Sequence, residues 1–238
     1  MTPSPADAAL YQVGFLLDSS GSIGTSGWNL IKQGLSSAIS QFVGQQDQYQ
    51  LSVMSFASTT QTIVSPTVVT GVNLASLQAA IMGATFLDSN TNFNLAFTNM
   101  TSLMSPAMSG VTASYLNFAT DGQPNEGGNE AGGITARNAA IAAGIDNISV
   151  EGIGSGVNVS YLVNNICYPQ ACDATPPPTG FPGNGFYIPV ASVADYGAAI
   201  HAKIALIVNP VPEPASMIVL GSGLAGLGLA VRRRRRAA

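Results

Sequence analysis

Three oxygen-bearing side chains alternate with other residues near the start of the chain. Asp18, Ser20 and Ser22 follow an apolar run that ends at Leu17, and Gly21 between them permits a tight turn. A loop that turns away from a strand can therefore aim one carboxylate and two hydroxyl groups at a single point. These hard oxygen donors suit Mg²⁺, Ca²⁺ or Mn²⁺ better than zinc or copper. The segment predicts one part of a divalent-cation site.

Two further segments supply the rest of such a site. Another apolar run ends in a Thr-Asp-Gly sequence, which sets the carboxylate of Asp121 at the tip of a strand. Between the two runs a helix opens just after Thr91, whose hydroxyl can turn toward the same edge. Two carboxylates balance the charge of one divalent ion, while hydroxyls and water complete its shell without adding charge. The predicted metal ligands are Asp18, Ser20, Ser22, Thr91 and Asp121.

In type and order, these five residues resemble the metal-ion-dependent adhesion site of the von Willebrand factor type A domain. That site combines an Asp-x-Ser-x-Ser loop after the first strand, a threonine before a later helix and an Asp-Gly pair after the fourth strand. The resemblance covers about residues 10–208. It implies that the hydroxyls bind the ion directly, that at least one aspartate acts through water, and that a partner carboxylate takes a vacant position. Family members often carry a Gly pair before the threonine, where this chain has Leu87-Asp88-Ser89-Asn90.

The resemblance implies a binding or adhesion module, not an enzyme, with no catalytic residues and no organic cofactor. Two other functions stay open. A metal-dependent hydrolase or phosphotransferase using Asp18 would want a second carboxylate at position 20, or a general base nearby. A matrix protein would use the metal only to stabilise its fold. In a purely structural alternative, Asp18 and Asp121 cap the helices that follow them, and the serines satisfy the loop backbone.

The elements that must position these residues follow from the apolar pattern of residues 10–208. Predicted strands cover 11–17, 50–56, 61–64, 114–119, 147–153 and 186–190, and predicted helices cover 28–42, 74–82, 93–104, 130–143, 159–166 and 193–207. Several strands are apolar on both faces, as a parallel sheet covered on two sides requires. The alternation predicts an α/β, Rossmann-like fold with a doubly wound, mostly parallel sheet flanked by helices. Ligands of such sheets bind beyond the carboxyl ends of the strands.

Charge in this chain is sparse and uneven. Of the 238 residues, 46% are hydrophobic and only 8% are charged, which excludes a charge-rich disordered chain. Residues 1–210 contain three basic and eleven acidic residues, so this body has a net charge of −8. Such a body should repel nucleic acid, because it could not neutralise a run of phosphates. Five of the eight basic residues form the run 232–236, a terminal feature with a separate purpose.

The C-terminal tail predicts a membrane segment. Residues 215–231 carry no charge and lie at the short end of the length that spans a bilayer as a helix. The arginines that follow would hold residues 232–238 in the cytoplasm and place the domain outside it. Residues 1–9 lack the pattern of an export signal, and we therefore expect that the true start lies upstream of Met1 or that the sequence is truncated there. A tail-anchored protein with a cytosolic body would account for this, but its five arginines would then have to cross the membrane.

The same tail resembles the PEP-CTERM sorting signals of Gram-negative bacteria. Within a linker at 209–214, a Pro-Glu-Pro triplet formed by Pro212, Glu213 and Pro214 precedes the apolar helix and the arginines. The resemblance implies recognition by a membrane peptidase of the exosortase class. It also implies temporary anchoring in the inner membrane and release to the cell surface or an exopolysaccharide matrix.

Cys167 and Cys172 are the only cysteines. Two thiols cannot form a structural zinc site without His or carboxylate ligands. They either form a local disulfide, which would indicate an oxidising compartment, or remain two free thiols in the core.

Overall fold

Six strands form one sheet in the computed structural model, which describes residues 8–169, 172 and 181–209. Their order across the sheet is β3-β2-β1-β4-β5-β6. The strands are β1 Leu10–Asp18, β2 Gln48–Phe56, β3 Thr60–Val68, β4 Ala113–Thr120, β5 Asn147–Ile153 and β6 Tyr187–Val190. Neighbouring strands are parallel except for β2 and β3. The prediction of a mostly parallel α/β sheet is confirmed.

The edge strand β3 differs from the prediction in length and direction. It is longer than the predicted 61–64, and the connection from β2 is too short for a crossover, so the pair is antiparallel. Its register with β2 shifts between the pairs Leu51–Thr67 and Val53–Val64, and Pro66 lies within this irregularity. Proline has no amide hydrogen to donate, and an irregular stretch of an edge strand tolerates that loss.

Helices cover both faces of the sheet. They are α1 Gly24–Ala38, α2 Leu74–Met82, α3 Phe93–Met104, α4 Asn129–Ala142, α5 Val159–Tyr161 and α6 Tyr196–Val208. The start of α1 lies four residues before the predicted Trp28, because its Gly-Thr-Ser-Gly first turn has no apolar periodicity. The helix predicted for 159–166 continues beyond α5 as a π-helical turn, Leu162–Ile166.

Two apolar cores lie on opposite faces of the sheet. The first is covered by α1, α2 and α6, and the second by α3, α4 and α5. Phe93 and Phe97 pack on Phe118 in the second core, with ring centroids 4.7 and 5.0 Å away. In the first, a Cβ atom at Gly34 would lie 2.8 Å from Cα of Gly197, so α1 and α6 meet through their backbones.

A buried ion pair ties α6 to the sheet. Glu151 on β5 contacts Lys203 on α6, and both side chains are fully buried. Burial raises the pKa of Glu151 and lowers the pKa of Lys203, because each charge loses its hydration, while their mutual attraction opposes both shifts. The two charges therefore depend on each other, and removing one would leave the other uncompensated in the core.

Cys167 and Cys172 form a disulfide bond after the π-helical turn. Arg137 on α4 binds backbone carbonyl groups in this region. Its Nε donates to the carbonyl oxygen of Ile166 at 2.9 Å, and its guanidinium donates to that of Cys167 at 2.6 Å. The buried arginine thus satisfies carbonyl groups that the end of the helical segment leaves without intrahelical partners.

The strand order reverses between β1 and β4, and their carboxyl ends open a crevice there. The last described helix, α6, ends on the side of the sheet where the parallel strands begin, opposite the crevice. Contacts of Gly197 with Gly34 and of His201 with Gln41 show that α6 runs alongside α1, away from the strand ends. Val208, the last residue of α6, therefore lies toward the end of the sheet opposite the crevice.

Among the described residues, no helix is long and apolar enough to cross a membrane. The predicted span 215–231, the Pro-Glu-Pro triplet and the tail 232–238 lie outside the described residues.

Candidate metal centre

The crevice is bordered by three loops, which follow β1, precede α3 and follow β4. Leu17 of β1 pairs with Ala119 of β4, so the next residues, Asp18 and Thr120, are neighbours at the end of the sheet. The loop before α3 is joined to the first loop by backbone hydrogen bonds, including one from Gly21 N to the carbonyl oxygen of Ser89 at 2.9 Å. The fold thus brings together segments that are far apart in sequence.

Asp18 is the most buried of the five predicted ligands, with an exposed fraction of 0%. Its Oδ1 accepts a hydrogen bond from the backbone N–H of Ser20 at 2.9 Å. Its Oδ2 accepts one from Oγ1 of Thr120 at 2.6 Å. Both carboxylate oxygens therefore have a donor, and the side chain is held from two directions.

A series of hydrogen bonds connects the two aspartates of the predicted site. Ser20, whose backbone binds Asp18, places its Oγ 3.2 Å from Oγ of Ser22. The Ser22 hydroxyl donates in turn to Oδ1 of Asp121 at 2.7 Å. Ser20 is buried and Ser22 is exposed, so the series runs from the end of the sheet toward solvent. Asp18, Ser20, Ser22 and Asp121 are thereby brought together around one crevice.

Thr91 is attached to this crevice through its backbone. Its N–H donates to Oδ1 of Asn125 at 2.8 Å, and its carbonyl oxygen accepts from the N–H groups of Asn125 and Glu126 at 3.0 and 3.2 Å. These bonds fasten Thr91 to the loop that carries Asp121. Within the described part of the chain, the Thr91 hydroxyl makes no hydrogen bond to the other four predicted ligands, and its place among them stays a prediction.

Asp88 explains how the chain manages without the glycine pair. This residue has φ +47°, in the left-handed region that glycine adopts most easily and aspartate tolerates. The turn is held by bonds from Leu87 N to Oγ of Ser19 at 3.0 Å and from Asp88 N to the Ser19 carbonyl oxygen at 3.1 Å. Ser19, inside the first loop, thus fixes the path of the loop that leads to Thr91.

The helix-capping alternative is wrong for both aspartates. The N-cap residues of α1 and α4 are Ile23 and Gly128, and neither helix has a side-chain cap. The helix after Thr91 is capped by Asn92, whose Oδ1 accepts from Leu95 N at 3.0 Å. The carboxylates of Asp18 and Asp121 therefore do not serve helix ends.

The crevice disfavours the ionised form of both aspartates. Burial raises the pKa of Asp18 to about 6, although hydrogen bonds from Ser20 and Thr120 oppose the shift and the nearby Asp121 adds to it. Burial also raises the pKa of Asp121, against the hydrogen bond from Ser22. Both shifts express the cost of placing negative charge in a partly dry crevice where the described residues supply no positive partner.

No basic side chain of residues 8–209 that the structure describes offsets this charge. Lys32 donates to the carbonyl oxygens of Met82 and Ala84, Arg137 is held near the disulfide, and Lys203 pairs with Glu151. The described residues also hold no cluster of three His, Cys, Asp or Glu side chains. The crevice offers hard carboxylate and hydroxyl oxygens with uncompensated negative charge, and this donor set fits a hard divalent cation such as Mg²⁺, Ca²⁺ or Mn²⁺.

Several residues around the crevice lie outside the set of five predicted ligands. Glu126 accepts a hydrogen bond from Nδ2 of Asn90 at 2.7 Å. This bond and one from Ser58 lower the pKa of Glu126. Thr120 and Asn125 also hold predicted ligands, and only Thr120 had a sequence signal, its position directly before Asp121 at the end of a strand.

Comparison with known proteins gives two family matches. Residues 12–180 match the von Willebrand factor type A domain, and residues 210–235 match the PEP-CTERM protein-sorting motif. No curated protein sequence matches this chain.

Solved structures share the fold. Proximal thread matrix protein 1 (PTMP1) from the mussel byssus is 19% identical with a TM-score of 0.62, and the match covers 83% of this chain and 46% of that one. A further PTMP1 structure, with a zinc-occupied MIDAS motif, is 19% identical with a TM-score of 0.59 and the same coverage. A von Willebrand factor type A protein from Catenulispora acidiphila is 13% identical with a TM-score of 0.62, covering 83% of this chain and 42% of that one. The matches cover less than half of each of these relatives' chains.

Proposed function

Because the chain belongs to the von Willebrand factor type A family and carries a PEP-CTERM sorting motif, we propose that it is an exported adhesion module that uses a divalent cation to bind an acidic group of a protein or matrix partner. The hydrogen-bonded series from Asp18 to Asp121 carries this proposal. It gathers two carboxylates and two hydroxyls at the rim of the sheet, where the described residues offer no basic partner. The ion proposed is Mg²⁺, with Ca²⁺ and Mn²⁺ as alternatives.

The residues that would hold the ion are Asp18, Ser20, Ser22, Thr91 and Asp121. When bound, the cation supplies a positive centre that an incoming Asp or Glu carboxylate can coordinate. Asp18 anchors the site at its buried side, and Ser22 lies on the side open to solvent. The loop after β4 lines an adjacent open cavity of about 510 Å³, which leaves room for partner groups beside the ion.

The direction in which the domain presents this crevice favours binding at a surface. The crevice lies at the carboxyl ends of the strands, whereas α6 ends toward their amino ends. The sorting segment follows α6 in the sequence. A domain tethered through the segment that follows α6 would therefore present the crevice on the side away from the end of α6.

The PEP-CTERM motif implies an exported or cell-surface protein that an exosortase processes. The finer proposal is that residues 215–231 anchor the chain temporarily in the inner membrane, with 232–238 in the cytoplasm and the domain outside. The disulfide between Cys167 and Cys172 suits an oxidising compartment. Intact-mass measurement of protein recovered from the cell surface should show loss of the segment after Pro214, and retention of the arginines would contradict release.

We favour a binding role over metal-dependent hydrolysis. Ser20 occupies the position where a second carboxylate would be wanted. His201, the only histidine, contacts Ser37 and Gln41 near the end of α1. Since α1 starts at the crevice and rises 1.5 Å per residue, His201 lies roughly 20 Å from the proposed ligands. His201 therefore lies too far from the proposed ligands to act as a general base there.

A comparison of two variants separates adhesion from a purely structural metal. Capture of the full chain on a poly-L-glutamate-coated surface is measured in Mg²⁺ and in EDTA at physiological salt. Wild type and Asp47→Ala, which removes a carboxylate at the opposite edge of the sheet, should be captured only with Mg²⁺. Asp121→Ala should lose capture while its circular dichroism stays native. If Asp121→Ala lowers only thermal stability and capture persists, the metal is structural and the adhesion proposal fails.

A further inference from the structure

Thr120 occupies a position that neither the ligand pattern nor the comparisons assign to the site. It is the last residue of β4 and is fully buried beside the end of β1. Its hydroxyl donates to Oδ2 of Asp18 at 2.6 Å and accepts a hydrogen bond from Gly122 N at 3.3 Å. One hydroxyl therefore touches the carboxylate of Asp18 and the backbone immediately after Asp121.

The hydrogen bonds to Asp18 from Ser20, through its backbone and its side chain, differ in origin from the bond donated by Thr120. The bond from Ser20 N to Oδ1 is local and comes from the backbone, so it does not depend on which side chain stands at position 20. The bond from Thr120 comes from a side chain on the neighbouring strand. Thr120 is thus the contact that fixes the Asp18 carboxylate relative to the strand that carries Asp121.

We infer that Thr120 is a positioning residue that sets the separation and orientation of the two site carboxylates for cation binding, an inference that rests on the proposed function. A hydrogen bond from a neutral hydroxyl to a buried carboxylate is short and strong, which agrees with the 2.6 Å contact. Without it, Asp18 would keep only the local hydrogen bonds from Ser20 and would lose its contact with the neighbouring strand. The carboxylate could then rotate within the crevice, and the cation would have to organise its own ligands at a cost in affinity.

Conservative variants isolate the hydroxyl group. Thr120→Val keeps the shape and removes the hydroxyl, whereas Thr120→Ser keeps the hydroxyl and removes a methyl group. Ser55→Ala is the matched control, because Ser55 lies on β2 at the same end of the sheet and its buried hydroxyl has no hydrogen-bond partner among the described residues. Loss of a supporting group of this kind typically weakens metal affinity by about 10- to 100-fold.

Mg²⁺ affinity of the full chain is measured by isothermal titration calorimetry for all variants with native circular dichroism. Thr120→Val should bind Mg²⁺ about 10- to 100-fold more weakly than wild type, while Thr120→Ser and Ser55→Ala should stay within about threefold. If Thr120→Val does not fold, Thr120→Ala provides the same comparison without placing a methyl group against the carboxylate.

The outcomes distinguish this inference from the proposed function. A wild-type chain that binds no divalent cation would overturn the proposed function itself. A wild-type chain that binds Mg²⁺ together with an equally tight Thr120→Val would overturn only the role of Thr120. The same role is excluded if Thr120→Ser loses as much affinity as Thr120→Val, because the hydroxyl would then not be the group that acts.

Discussion

Ser22 donates a 2.7 Å hydrogen bond to Oδ1 of Asp121 across a separation of 99 residues in the chain. This contact joins the loop after β1 to the loop after β4 and orients both side chains toward the crevice. The bond is solvent-exposed, so it contributes little to stability and much to the geometry of the proposed site.

Replacing Ser22 with alanine tests whether this hydrogen bond matters more for cation binding than for stability. Ser22→Ala should weaken Mg²⁺ binding at least about tenfold, because it removes a proposed ligand and releases Asp121. The midpoint of thermal unfolding without metal should change little, since the side chain is exposed. Calorimetric titration and a thermal melt measure the two effects. Ser40→Ala, which removes another exposed hydroxyl at the end of α1, is the control and should change neither. Unchanged Mg²⁺ affinity in Ser22→Ala would remove Ser22 from the site.

Metal-free stability should fall as pH rises through the range in which Asp18 ionises. The folded-state pKa of Asp18 is about 6, above the ordinary value of 3.8, so the folded protein binds the proton more tightly than the unfolded chain. The stabilising contribution is fully present below about pH 4 and is lost by about pH 6, a change on the order of 3 kcal/mol. Urea unfolding in EDTA measures this loss as the difference between wild type and Asp18→Asn, in which this site cannot titrate.

The same group gives Mg²⁺ binding the opposite dependence on pH. Because the ion needs the carboxylate form, Mg²⁺ should raise the melting temperature at pH 7.5 and have little effect near pH 5. A Mg²⁺-induced shift that is equal at both values would show that Asp18 is not coupled to the ion.

The buried pair of Glu151 and Lys203 should behave as one unit. Lys203→Met leaves Glu151 uncompensated in the core and should lower the free energy of unfolding by about 3–5 kcal/mol. The double variant Glu151→Leu with Lys203→Met removes both charges and should recover most of that loss. Denaturant unfolding of the two variants and wild type in Mg²⁺ provides the comparison. A double variant as unstable as the single one would show that packing at these positions, not charge compensation, sets the cost.

Asp88 should accept glycine but not alanine. With φ +47°, a side chain with Cβ is strained, and aspartate is among the few residues that tolerate this region. Asp88→Gly should leave stability and Mg²⁺ affinity close to wild type, whereas Asp88→Ala should be about 1 kcal/mol less stable than Asp88→Gly. Urea denaturation resolves a difference of this size. Equal stability of the two variants would mean that the turn is not under backbone constraint.

Much of the fold was predictable because its strands and helices carry clear apolar periods. β5, α2 and α3 have the predicted bounds, since each is a regular apolar segment bordered by turn residues. The start of α1 was missed because its first turn consists of Gly, Thr and Ser, which carry no apolar period. The antiparallel direction of β3 depends on a short connection whose length could not be fixed without the strand bounds.

The grouping of four candidate ligands was predictable because residue type and chain order carried the signal. Asp18, Ser20, Ser22 and Asp121 follow strand ends that any parallel sheet brings to one edge, and the structure links them by hydrogen bonds. The supporting contact of Thr120 with Asp18 requires the register of β1 against β4, which composition and spacing do not give. The contact of Asn125 with Thr91 depends on the path of a loop and has no periodic signal.

The most direct measurement is the stoichiometry of Mg²⁺ binding to the full, disulfide-intact chain by isothermal titration calorimetry. We expect one ion per wild-type chain and no measurable binding for Asp18→Asn or Asp121→Ala when both variants retain native circular dichroism. A wild-type chain that gives no binding, or aspartate variants that bind Mg²⁺ as tightly as wild type, would contradict a cation held between these two carboxylates.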